Sequence, residues 1–184
     1  TAMLLAKQDP PTACLRRNDR SNNGDRSGFE PNQPENLMRF NDEIYFTART
    51  DETGEELWRT DGSAAGTGIT TQIIEGEGGT IFSAEVLPAG IALSARHEDY
   101  GYEPHLYDGT TMRILANVHE NGGSYPAYFA QINNKICYTA EHDDFGEEVF
   151  CSDLNNNEAN FSLLKDIDPG ESDSNPNTLV STGT

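Results

Sequence analysis

Ile44-Tyr-Phe-Thr-Ala48, Ile91-Ala-Leu-Ser-Ala95 and Ile136-Cys-Tyr-Thr-Ala140 decide how this chain folds, because they are three copies of one strand. From 44 to 91 and from 91 to 136 the steps are 47 and 45 residues. Each copy is followed at a fixed distance by a glycine and a glutamate, Gly54 and Glu56, Gly101 and Glu103, Gly146 and Glu148. An aspartate then follows: Asp61, Asp108 or Asp153. Periods of this size belong to repeat architectures in which one supersecondary unit cannot bury its apolar face alone and stacks on its neighbours.

Working outward, every repeat reads as four short strands separated by turn signals. The first spans Leu37–Phe40, Glu43–Ala48, Glu56–Thr60 and Gly68–Ile74, with the Gly-rich loop Asp61-Gly-Ser-Ala-Ala-Gly-Thr67 before the last strand. The second spans Ala84–Leu87, Ile91–Ala95, Pro104–Tyr107 and Met112–Val118. The third spans Tyr128–Ile132, Lys135–Ala140, Glu148–Ser152 and Phe161–Ile167. The predicted fold is all-β: tandem four-stranded antiparallel blades, β-propeller-like, forming a partial array cut from a longer chain. One face of each second strand is apolar (Ile44, Phe46, Ala48 and their counterparts). The other holds Tyr45, Ala92 and Cys137 and is only half polar, which suits sheets covered on both sides. The repeats divide as residues 33–79, 80–124 and 125–173. Residues 1–32 read as the closing strand of a preceding repeat plus a polar insertion, and 174–184 as the start of the next repeat.

The chain has 184 residues, 35% of them apolar, enough for a modest core. Its 31 acidic against 12 basic residues give a net charge of -19. Such a surface disfavours nucleic acid and anionic membranes, whose phosphates need Lys and Arg. No apolar run is long enough for a transmembrane helix. Cys14, Cys137 and Cys151 lack zinc spacing. If Tyr138 pairs with Phe150, Cys137 and Cys151 lie opposite one another on two arms of a hairpin, where they form either a disulfide or a packed pair of small apolar side chains. The sequon Asn160-Phe-Ser162 is a candidate glycosylation site consistent with secretion.

The acidic hairpin tips are candidate calcium ligands: Asp51, Glu52 and Glu56; Glu98, Asp99 and Glu103; Asp143, Asp144 and Glu148. The competing reading is that they are solvated turns. Asp61, Asp108 and Asp153 are placed to accept backbone N–H bonds in the turns that follow them. Trp58, His105 and Phe150 share one repeat position and read as flat groups packed between blades. No nucleophile, metalloprotease, Walker or dinucleotide signature accompanies His97, His105, His119 and His142.

Glu56-Leu-Trp-Arg-Thr-Asp-Gly-Ser-Ala-Ala-Gly-Thr67 resembles the signature E-L-W-x-x-D-G-T-x-x-G-T. Repeats of that kind, called hyalin-like or propeller-like, occur in large secreted or cell-surface proteins. Leu164-Lys-Asp-Ile-Asp-Pro-Gly170 and Ser174-Asn-Pro176 are similar to the family's link between repeats. The second and third copies depart from the signature, with Pro104-His-Leu-Tyr-Asp-Gly-Thr110 and Val149-Phe-Cys-Ser-Asp153. The resemblance implies a non-enzymatic extracellular or surface module for structure, assembly or adhesion. It brings no catalytic residue and no cofactor beyond candidate calcium. The expected partners are other protein chains or further repeats of the same chain. A carbohydrate-binding or carbohydrate-cleaving propeller is the alternative, with glycans as partners.

Overall fold

The computed structural model describes residues 34–71, 80–155 and 160–181. Residues 1–33, with Cys14 and the expected insertion, lie outside the described residues, as does the end of the expected fourth strand beyond Thr71. The described chain is entirely β, in three four-stranded antiparallel sheets. The first contains β1 (Glu35–Phe40), β2 (Glu43–Thr50), β3 (Gly54–Thr60) and β4 (Gly68–Thr71). The second contains β5 (Ile81–Leu87), β6 (Gly90–His97), β7 (Gly101–Tyr107) and β8 (Met112–Ile114). The third contains β9 (Ala127–Ile132), β10 (Lys135–His142), β11 (Gly146–Asp153) and β12 (Phe161–Lys165). Each sheet keeps chain order from edge to edge, and β5 lies between β1 and β9, so the first strands of successive sheets are neighbours.

Local chemistry sets the turns. Asn41 and Asp42 both take positive φ, 50° and 64°, and close the β1–β2 hairpin; these are residue types that tolerate the left-handed region. The β2–β3, β6–β7 and β10–β11 hairpins each end on a glycine with positive φ, at Gly54, Gly101 and Gly146. At Gly101 a Cβ would also stand 2.8 Å from the backbone nitrogen of Gly123, so the site excludes side chains by conformation and by space.

The apolar core lies between sheets. In one cluster Tyr45 and Leu57 of the first sheet meet Ile91, Leu93, Ala95 and Tyr107 of the second. In the other, Ala92 and Leu106, from the opposite side of the second sheet, meet Ile136, Tyr138, Ala140 and Phe150 of the third. Alternation along β6 therefore sends Ile91, Leu93 and Ala95 to one neighbour and Ala92 to the other. Burying each such large side chain contributes about 1.5–3 kcal/mol, which an isolated sheet could not collect on both faces.

Two expected strands are shorter than their sequences suggest: β12 stops at Lys165 instead of Ile167, whose N–H goes to Glu148, and β8 loses more. β8 stops at Ile114 instead of continuing to Val118. Leu115 still donates its N–H to the Pro104 carbonyl of β7 (2.7 Å), but Leu115, Ala116 and Val118 enter the cluster between the second and third sheets, and the Val118 N–H is taken by a side chain instead of a strand.

Candidate functional site

The three repeated glutamates behave alike and differ from the tips that precede them. Glu56, Glu103 and Glu148 are fully buried. Glu103 accepts hydrogen bonds from the Val118 N–H (2.9 Å), the Ser124 N–H (3.1 Å) and the Ser124 hydroxyl (2.7 Å). These donors belong to the segment that leads from the second sheet to the third. Glu148 Oε1 accepts from the N–H groups of Ile167 (3.0 Å) and Asp168 (3.1 Å) after β12. A buried carboxylate that satisfies otherwise orphaned backbone donors fixes the path of the connection. Burial pushes the Glu103 carboxyl up to about 7, against the pull of these donors.

The rest of each acidic trio lies elsewhere. Asp51, Glu52, Glu98, Asp99, Asp143 and Asp144 are exposed at the hairpin tips. Asp143 accepts from Asn121 Nδ2 (3.1 Å) and lies 3.1 Å from His119 Nε2, tying the third sheet's tip to the preceding connection. Among the described residues no group of three or more His, Cys, Asp or Glu side chains could hold a metal ion. The strands put Glu56, Glu103 and Glu148 inside and leave the neighbouring acids outside.

The aspartates after the third strands divide. Asp61 Oδ1 accepts from the Ser63 N–H (2.8 Å) and hydroxyl (2.7 Å), and these bonds hold its carboxyl below the usual range. Asp108 Oδ1 accepts from the N–H groups of Thr111 and Thr110 (2.8 Å each), with the same consequence. Asp153 instead pairs with Lys135 Nζ at 2.9 Å. The Gly-rich loop after Asp61 uses its own polar groups: Ser63 Oγ accepts the Gly66 N–H and Ser63 O accepts the Thr67 hydroxyl.

Phe150 is buried between the second and third sheets, and buried His105 directs Nδ1 at the Glu103 carbonyl, 2.8 Å away. Trp58, at the same repeat position, is only half-buried; it stacks on Phe46 (6.2 Å between centroids, 19°) and donates to the Ala48 carbonyl. His142 stacks on Phe150 and meets Phe145 and Phe161 at tilted angles. His97 lies in β6, and its side chain is outside the described residues.

Tyr138 faces Phe150 and Cys137 faces Cys151 across β10 and β11, and the two cysteines are joined in a disulfide. Asn160 is exposed immediately before β12. No linear motif marks a further group, which the fold assembles from two strands and a connection: Phe82 of β5, Tyr102 of β7 and Tyr125 before β9. Comparison with family models, with curated proteins and with solved structures finds no match to this chain.

Proposed function

We propose that this chain is a non-enzymatic structural module of an extracellular or cell-surface β-repeat protein, acting in assembly or adhesion through its sheet faces. The observation that carries the reading is an asymmetry between equivalent faces. Ile91 and Ile136 are 0% exposed beneath the preceding sheet, whereas Ile44, at the same position in the first sheet, is 39% exposed. Phe46, Ala48 and Trp58 around it are also only partly covered. A face built for stacking that stays only partly covered is an association surface. The disulfide supports an oxidising compartment. The resemblance to hyalin-like or propeller-like repeats points the same way.

Multi-angle light scattering and sedimentation across a hundredfold concentration range test the reading. Concentration-dependent association that Ile44→Asp abolishes is the expected result. A monomer at every concentration, or association indifferent to Ile44→Asp, sinks it.

A further inference from the structure

Each joint between sheets has two unlike halves. One half is the face that carries Tyr45 and Leu57 in the first sheet and Ala92 and Leu106 in the second. The other carries Ile91, Leu93 and Ala95 in the second sheet and Ile136, Tyr138 and Ala140 in the third. Among the described residues one half of each kind is left over. On the first sheet Ile44, Phe46 and Trp58 hold the positions of Ile91, Leu93 and His105, since Phe46 pairs with Trp58 as Leu93 pairs with His105. Ile44 is 39% exposed, and Ile69, the partner of Trp58 on β4, is 36% exposed. On the third sheet Cys137 pairs with Cys151 as Ala92 pairs with Leu106. That face holds an open groove of about 660 Å³, lined by Cys137, Val149, Cys151, Ile132 and Leu164 and flanked by Val180. Leu164 is 68% exposed.

We propose that the two left-over halves fit one another: the Ile44 face of one copy seats in the Cys137–Leu164 groove of a second copy and joins them head to tail. The proposal rests on the association reading above and names the surface on the partner. Continuity with the joints inside the chain selects a second copy as occupant. Twice a face of the Ala92 kind is covered by a face of the Ile91 kind, and the Ile44 face is of that same kind. Charge agrees with an apolar contact. A net charge of -19 on each copy opposes the encounter at long range, so burial of apolar surface drives it. Salt therefore strengthens the contact by screening the repulsion, the reverse of its effect on an ion-paired interface. Because the halves differ, the contact propagates into filaments or rings instead of closing as a two-fold dimer.

Sedimentation velocity on single-face variants tests the pairing, with melting curves as the control for folding. Ile44→Asp, backed by Ile69→Asp, spoils the first-sheet half, and Leu164→Asp spoils the groove. Each variant alone self-associates about tenfold or more weakly than the wild type. An equimolar mixture of Ile44→Asp and Leu164→Asp forms a one-to-one complex that grows no further, because each contributes one intact half. Wild-type association tightens when sodium chloride is raised. Self-association of Leu164→Asp at wild-type strength, with no complex in the mixture, would overturn the head-to-tail contact while leaving association through Ile44 standing. A wild type that stays monomeric at every concentration removes both.

Discussion

Ile44 and Ile136 occupy one position of the repeat, yet Ile136 sits wholly buried against the second sheet and Ile44 is more than a third exposed. The strands that carry them have the same hairpin register, with Ile44 opposite Thr60 and Ile136 opposite Ser152. Local structure is therefore the same, and the difference comes from the neighbour. Burial in this molecule belongs to the joint between sheets, so the energetic worth of a residue depends on which joint it enters.

The largest break in that comparison comes from core truncation. Ile136→Ala costs about 2–5 kcal/mol in urea unfolding, whereas Ile44→Ala costs under about 1 kcal/mol. Equal costs would mean that the sheets are stabilised separately. Next is the disulfide, which closes a span of 14 residues. The Cys137→Ser and Cys151→Ser double variant loses roughly 2–3 kcal/mol on the loop-closure scale, read from chemical denaturation under non-reducing conditions. Gly101→Ala follows, at about 1–3 kcal/mol, because it forces a side chain into a positive-φ position against Gly123.

Glu103 sharpens the comparison through pH. Its folded-state carboxyl is raised to about 7 from the ordinary value of 4.5, so between these values the folded chain holds more protons than the unfolded one. The stability contributed by this group is complete below about 4.5 and is lost as pH rises through 7. Melting curves from pH 4 to 8 show this component in the wild type and lack it in Glu103→Gln. The smallest expected effect is that of calcium. Glu103 and Glu148 are buried and engaged with backbone donors while the tip acids are exposed, so millimolar calcium followed by chelator moves the melting temperature by less than about 1 °C, within the range of an exposed charge. A shift of several degrees would assign the tips a metal role.

The repeat and its strands were legible in the sequence because alternation, turn residues and period all agree in one direction. The register of β10 and β11 was legible too, since the hairpin turn and the pairing of Tyr138 with Phe150 fix every other pair. The separate fates of Glu103 and the tip acids Glu98 and Asp99 were not, because composition treats carboxylates alike while burial at a strand position does not. Asp153 departs from Asp61 and Asp108 because Lys135 lies opposite it. The early end of β8 follows from a long-range bond to Glu103, which no local window contains. The aromatic cluster joins residues 82, 102 and 125, which the second sheet and the connection after it bring together from distant parts of the sequence.

Native-state hydrogen exchange on Ile136→Ala addresses the central claim most directly. With the core between sheets, this substitution in β10 lowers protection in β6 and β7 of the second sheet together with β10 and β11 of the third. Loss of protection confined to β9–β12 would contradict it.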